Sequence, residues 1–155
     1  MKKINWKKLI VILLVTFVIG GLFSFLTMKN MDAFKELNKP IDVPGFIFPI
    51  VWSILYILMS ISLYIVLESN SVYKTKGLII YIVQLIVNSL WTLIFFGMKM
   101  YLFAFIWLLF LLILIILMII IFSKINKKAA YLNIPYVIWV LFAGYLNLGI
   151  YLLNK

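Results

Sequence analysis

The stretch from residue 101 to residue 122 reads YLFAFIWLLFLLILIILMIIIF and contains no charged side chain. An α-helix of about 20 apolar residues crosses the roughly 30 Å of hydrocarbon in a bilayer, and this stretch is long enough to do so. It lacks the alternation of polar and apolar residues that marks a strand of a membrane barrel. The stretch therefore predicts a transmembrane α-helix.

Four further stretches have a similar length and apolar character, and each is bounded by lysine, asparagine or turn residues. They lie near residues 6–27, 48–68, 78–97 and 132–153. The chain is 67% hydrophobic and only 12% charged, whereas roughly 25% of the residues in a typical soluble domain are charged. We therefore predict an all-α integral membrane protein, a five-transmembrane-helix bundle that forms a single domain over residues 1–155. The first loop, about 28–47, is the long connection.

The charged residues predict how the bundle is oriented. All 14 basic residues are lysines, and with four acids they give a net charge of +10. A cytoplasmic N-terminus would place nine lysines on the cytoplasmic side, namely Lys2, Lys3, Lys7, Lys8, Lys74, Lys76, Lys124, Lys127 and Lys128. The opposite side would hold five, namely Lys29, Lys35, Lys39, Lys99 and Lys155. Because lysine is in excess on the cytoplasmic side of membrane proteins, we expect a cytoplasmic N-terminus and need no nucleic-acid partner to explain the charge.

The residue types also point to a source and exclude several kinds of site. Lysine, isoleucine and asparagine are abundant and arginine is missing, which is typical of an AT-rich bacterial genome, so we expect a bacterial cytoplasmic membrane. Cysteine and histidine are both missing. This excludes disulfides, Cys-ligated zinc or iron–sulfur clusters, His-ligated haem and a His-based catalytic triad. We therefore expect no metal site and no required cofactor.

Aromatic and polar residues recur three or four positions apart on three of the predicted helices, so each set lies along one helix face. The sets are Trp52, Tyr56 and Met59, then Gln84, Asn88 and Trp91, and finally Trp139, Ala143 and Asn147. If these faces converge, they enclose a cavity with aromatic walls and amide groups, which suits a flat, mostly apolar ligand. The alternative is structural, since aromatic residues anchor helices at membrane interfaces and Gln84 or Asn88 would join helices by hydrogen bonds.

Three segments that contain these residues resemble the translocator protein family, also called the TspO/MBR or tryptophan-rich sensory protein family. The first segment is LNKP at residues 37–40 followed by PGFIFPIVWSILY at residues 44–56. The second is QLIVNSLWTLIFFG at residues 84–97, and the third is PYVIWVLFAGYLN at residues 135–147. The segments occur in the order that the family has, each on its expected helix, and the likeness extends over nearly the whole chain.

The resemblance implies a five-helix bundle, usually a homodimer in bacteria, that binds porphyrins, sterols or synthetic ligands between its helices beneath a lid made by the first loop. It implies that Trp52 and Trp139 are the indoles of the pocket and that Gln84 and Asn88 are its polar positions on the third helix. It also implies roles for Ala143 in the wall and for three loop residues. The predicted ligand-binding residues are Phe34, Pro40, Pro44, Trp52, Tyr56, Gln84, Asn88, Trp91, Trp139, Ala143 and Asn147.

The leading functional hypothesis is a membrane receptor or sensor that binds porphyrin-type tetrapyrroles, such as protoporphyrin IX, in a pocket between the helices. An alternative is a light-dependent porphyrin-degrading enzyme, in which the resemblance makes Trp52 and Trp139 the catalytic residues. No thiolate or histidine base supports ordinary catalysis. A small-molecule transporter is a weaker alternative, because the spans carry no charge apart from Glu68 at a helix end and show no repeat.

Overall fold

Five helices are long and apolar enough to cross a membrane in the computed structural model, which describes residues 4–155. These helices are α1 (Trp6–Leu26), α3 (Ile47–Glu68), α4 (Lys74–Thr92), α5 (Tyr101–Ile125) and α7 (Ile134–Leu153). Two short helices, α2 (Met31–Lys35) and α6 (Lys127–Tyr131), precede α3 and α7. The predicted all-α membrane bundle with five spans is confirmed. Lys2 and Lys3, which entered the charge count, lie outside the described residues.

Two helices are longer than predicted, because lysines that were expected to bound the spans lie inside the helices. The third span was expected from residue 78, but α4 begins at Lys74, and lysines in its first turn do not stop it. Its last turn, Leu93–Gly97, is a π-helix. The fourth span continues to Ile125, beyond the predicted end at 122. Capping and turn residues set the end of a helix, so a span continues into the aqueous layer until it reaches such a residue.

The first long loop is more ordered than the sequence predicts. A 3-10 turn at Met28–Asn30 leads directly into α2, and an irregular segment then runs to the start of α3. Phe34 on α2 is buried, whereas both ends of α2 are more exposed. We call residues 27–46 the lid, because this buried side chain fixes the segment against one end of the bundle.

Helix α4 lies at the centre of the bundle. It packs against α1, α3 and α5, and α5 in turn packs against α7. In the span Lys74–Gly97, 56% of the most apolar window is buried, against 17% in α1. Helices α3 and α7 meet through aromatic side chains, as in the contact of Trp52 with Tyr136 at 6.0 Å between ring centroids. A space bounded by α3, α4 and α7 results.

Polar side chains inside the bundle find partners on neighbouring helices. The Ser62 hydroxyl donates to the Ala129 carbonyl oxygen at 2.7 Å, which ties α3 to α6. The Asn133 amide donates to the Ser62 hydroxyl at 2.7 Å and to the same Ala129 carbonyl at 2.9 Å. Thr16 on α1 and Tyr81 on α4 share a hydrogen bond of 2.7 Å. Such bonds hold membrane helices in register, because hydrocarbon offers no competing partner.

A glycine allows α1 and α3 to approach closely. The Tyr56 ring lies directly against Gly20, where an added Cβ would be 2.5 Å from Tyr56 Cζ. The Tyr56 hydroxyl donates to the Gly20 carbonyl oxygen at 2.9 Å. The neighbouring Gly21 has open space, since nothing lies within 4 Å of an added Cβ. Gly20 therefore has a packing role that Gly21 lacks.

This difference predicts that Gly20→Ala lowers the thermal unfolding midpoint in detergent, whereas Gly21→Ala does not. Both variants remove a glycine from the same helix, so any gain in helix propensity is shared. The methyl group at residue 20 must displace the Tyr56 ring, and overpacking of this kind costs about 1–3 kcal/mol. Circular dichroism during heating measures the midpoints. Equal midpoints for the two variants would contradict the assigned contact.

Candidate functional site

The three predicted faces converge on the space between α3, α4 and α7. Trp52 packs against Tyr56 on its own helix, with ring centroids 5.5 Å apart, and against Tyr136 on α7. Trp139, one turn further along α7, packs against Phe48 at 5.9 Å. Phe48 and Trp52 are four residues apart on α3, so both indoles belong to one aromatic wall.

Two amide side chains of α4 form hydrogen bonds to the tyrosines of this aromatic wall. Asn88 donates to the Tyr56 hydroxyl at 3.2 Å, and the Tyr136 hydroxyl donates to Gln84 Oε1 at 2.9 Å. Gln84 is fully buried and Asn88 is 2% exposed. Each amide therefore uses one of its polar atoms to hold a tyrosine of a neighbouring helix. The expectation that these amides join helices by hydrogen bonds therefore explains one polar atom of each side chain, namely Asn88 Nδ2 and Gln84 Oε1.

The other half of each amide has no protein partner. Gln84 Nε2 and Asn88 Oδ1 are buried and make no hydrogen bond to any described residue, and the same holds for Trp139 Nε1. Leaving a buried polar atom unpaired costs about 1–3 kcal/mol. The site therefore holds two donors and one acceptor that are able to bind polar groups of a ligand.

Trp91 and Asn147 form a second part of the site, towards the lid. The Trp91 indole donates to Asn147 Oδ1 at 3.2 Å, and Asn147 Nδ2 donates to the Tyr101 carbonyl oxygen at 2.7 Å. Both side chains are thus engaged in joining α4, α5 and α7. Trp91, Ala143 and Asn147 nevertheless line a cavity of about 20 Å³, whose other lining residues include Phe34, Phe48, Phe95 and Phe96.

Phe34, on α2 of the lid, covers the end of this cavity that faces the lid. Its ring lies 6.1 Å from Phe48, 6.0 Å from Phe95 and 5.5 Å from Phe96, measured between ring centroids. A cavity of this size holds about one water molecule. A molecule larger than water therefore fits this cavity only if the surrounding side chains move.

The lid is held closed by contacts with two spans. Asn30 donates to the Phe96 carbonyl oxygen at 3.0 Å. Asn154, after the end of α7, forms a reciprocal pair with the backbone of Asn38, whose N–H donates to Asn154 Oδ1 at 3.0 Å and whose carbonyl accepts from Asn154 Nδ2 at 2.8 Å. These polar contacts add to the packing of the Phe34 ring against Phe48, Phe95 and Phe96.

The two lid prolines differ in their surroundings. Pro40 lies against Gly149 of α7, where an added Cβ would clash with the proline ring. Pro44 is exposed at the start of α3, where its carbonyl accepts from the Ile47 N–H at 3.0 Å, and it is not among the residues that line the cavity. The structure thus gives Pro40 a lid-packing role and gives Pro44 no contact with the site.

Sequence reasoning missed the phenylalanines that close the site. Phe48 precedes Trp52 by four residues, so the helical spacing that selected Trp52 and Tyr56 includes it. Phe95 and Phe96 stand in the FFG sequence at the end of the third span, where they were quoted but given no role. Their role depends on the π-helical last turn, and residue spacing on a regular helix does not predict such a turn.

Comparisons with known proteins show which family the chain belongs to. Residues 10–153 match the profile of the TspO/MBR family. The chain is 34% identical over 152 residues to the tryptophan-rich protein TspO of Archaeoglobus fulgidus, covering 97% of this chain and 99% of the relative. It is 38% identical over 124 residues to protein CrtK of Rhodobacter capsulatus, covering 78% of each.

A third relative is the tryptophan-rich sensory protein of Cereibacter sphaeroides, which is 32% identical over 128 residues, covering 82% of this chain and 80% of the relative. The family profile covers residues 10–153, which include α3, α4 and α7. This integral membrane protein therefore belongs to the TspO/MBR family.

Proposed function

We propose that this protein is a membrane receptor that binds a porphyrin-type tetrapyrrole, such as protoporphyrin IX, between α3, α4 and α7. The observation that carries the proposal is the set of three buried, unpartnered polar atoms, Gln84 Nε2, Asn88 Oδ1 and Trp139 Nε1. A tetrapyrrole has a flat apolar face and a few nitrogen atoms. It would pack against the indoles and phenols and provide partners for these three atoms.

A receptor role is also supported by the absence of conventional catalytic groups. The sequence holds no histidine and no cysteine. The described residues contain no cluster of three or more acidic side chains suited to a metal ion. One relative carries the printed name of a tryptophan-rich sensory protein. Binding followed by a change in the lid is the simplest way in which such a site reports on its ligand.

Three finer points of this proposal concern assembly and placement. We propose a homodimer, which the broad apolar face of the weakly buried α1 is able to support. We also propose a cytoplasmic N-terminus, because nine lysines would then lie on the cytoplasmic side of the bundle and five on the opposite side. Finally, we propose that the bilayer is the cytoplasmic membrane of a bacterium.

The binding proposal predicts a saturable loss of tryptophan fluorescence when protoporphyrin IX is added to the protein in detergent. Asn88→Ala removes one polar partner of the ligand and is expected to weaken the affinity about tenfold, which corresponds to about 1.4 kcal/mol. Trp52→Phe and Trp139→Phe each reduce the aromatic surface and are expected to weaken the affinity several-fold.

Trp6→Phe is the matched control, because Trp6 is 63% exposed at the start of α1 and is expected to leave the affinity unchanged. The proposal is overturned if wild-type protein shows no saturable binding. It is also overturned if the three site variants bind as tightly as the Trp6 variant does.

A second candidate function is the light-driven oxidation of the bound porphyrin by dioxygen, with Trp52 and Trp139 as the oxidisable side chains. One contact favours it, since Trp52 lies within 6.0 Å of the phenol rings of both Tyr56 and Tyr136, measured between centroids. Indoles and phenols in contact would relay radicals between the excited porphyrin and dioxygen, so that the porphyrin loses the electrons and dioxygen accepts them.

Illumination of the porphyrin complex separates the two functions. The receptor proposal predicts that the Soret band of the bound porphyrin bleaches at the same rate in wild type and in a Trp52→Phe/Trp139→Phe variant, compared at equal occupancy. Faster bleaching in wild type, with a new product in the absorption spectrum, would assign turnover to the two tryptophans instead.

A further inference from the structure

A second, smaller cavity lies beside the one that Phe34 closes. It has a volume of about 10 Å³ and shares Phe34, Phe95 and Phe96 with its neighbour. Its remaining lining residues come from the lid and from the connection between α4 and α5, and they are Asn30, Ala33, Leu37, Lys99 and Tyr101. The two cavities therefore share three of the aromatic rings that close the site.

Lys99 is the one charged residue among those that line the two cavities in the described part of the chain. It is exposed, and it makes no ion pair with any described residue. No acid of the lid forms an ion pair with it among the described residues. Asp32 is paired with Lys35 at 2.7 Å, and this hydrogen bond lowers the pKa of the Asp32 carboxyl. A cation without an internal counterion thus stands at the rim of the site.

The backbone at Lys99 adds a second, independent observation. Its φ is 55°, and it is the one described non-glycine residue with a positive φ. It follows the π-helical turn, which ends with bonds from the Met98 N–H to the Leu93 carbonyl and from the Met100 N–H to the Ile94 carbonyl. Glycine is the usual residue at such a left-handed position after a helix.

A lysine held in this conformation is disfavoured relative to glycine, so its side chain is expected to have a use. The left-handed residue lies between α4 and α5, and Lys99 is one of the residues that line the smaller cavity. Tyr101, the first residue of α5, lines the same cavity. A lysine and a tyrosine therefore border one small space at the edge of the aromatic site.

We infer that Lys99 binds a carboxylate of the ligand, so that the site selects tetrapyrroles with free acid side chains over neutral ones. The inference rests on the proposed function, because it places the acid group of the macrocycle at the rim while the ring lies among the indoles. An ammonium group at a partly apolar rim binds a carboxylate more strongly than it does in open water. The lysine would thus fix the orientation of the ligand as well as its charge.

The test compares protoporphyrin IX with its dimethyl ester, which has the same ring and no charged side chain. In titrations followed by tryptophan fluorescence, Lys99→Met is expected to weaken binding of the diacid roughly three- to tenfold and to leave binding of the ester unchanged. Lys99→Gly is expected to act in the same way, and glycine adopts this φ without strain, so the turn is retained.

Lys29→Met is the matched control. It removes the same charge from the lid side of the bundle, but Lys29 is not among the residues that line either cavity, and no change in affinity for either porphyrin is expected. Equal effects of the Lys99 variants on diacid and ester, or no effect on either, would overturn the carboxylate assignment while leaving the proposed function in place. Failure of wild-type protein to bind both porphyrins would overturn the proposed function and this inference together.

Discussion

The structure depends on one constraint, which is that hydrocarbon offers no hydrogen-bond partner to a polar group. Five long helices satisfy their own backbones, and the few polar side chains inside the bundle are bonded to residues of neighbouring helices. Thr16 with Tyr81, Tyr56 with the Gly20 carbonyl, and Ser62 with the Ala129 carbonyl are examples from different levels of the bundle. The exceptions stand out against this background, and three of them, on Gln84, Asn88 and Trp139, lie in the region bounded by α3, α4 and α7.

The same residues that build the bundle also prepare the site. The Tyr56 ring packs against Gly20, and its hydroxyl accepts a hydrogen bond from the Asn88 amide. The packing of α1 on α3 therefore also positions an amide of α4. Tyr136 holds Gln84 in a corresponding way from α7. Each amide is therefore fixed by one atom and free at the other. A ligand that binds the free atoms gains the benefit of side chains whose positions are already set.

Much of this could be predicted from the sequence, and the reasons are physical. The length of each apolar run predicts a span, and the spacing of Trp52 with Tyr56 and of Gln84 with Asn88 predicts which residues share a helix face, because a regular helix repeats every 3.6 residues. What could not be predicted depends on irregular backbone. The π-helical turn at Leu93–Gly97 and the left-handed Lys99 set the positions of Phe95, Phe96 and the rim cation. The burial of Phe34 by the lid depends on contacts distant in sequence, such as that of Asn38 with Asn154.

If protoporphyrin IX binds in the space between α3, α4 and α7, the lid must move away before it enters. The chain contains no cysteine, so Asn38→Cys and Asn154→Cys introduce two thiols that a short bifunctional thiol reagent is able to join across the lid contact. The account predicts that the cross-linked protein no longer binds protoporphyrin IX, while the same variant treated with a monofunctional reagent still does. Equal affinity in the two preparations would contradict it, because the ligand would then bind somewhere that the lid does not cover.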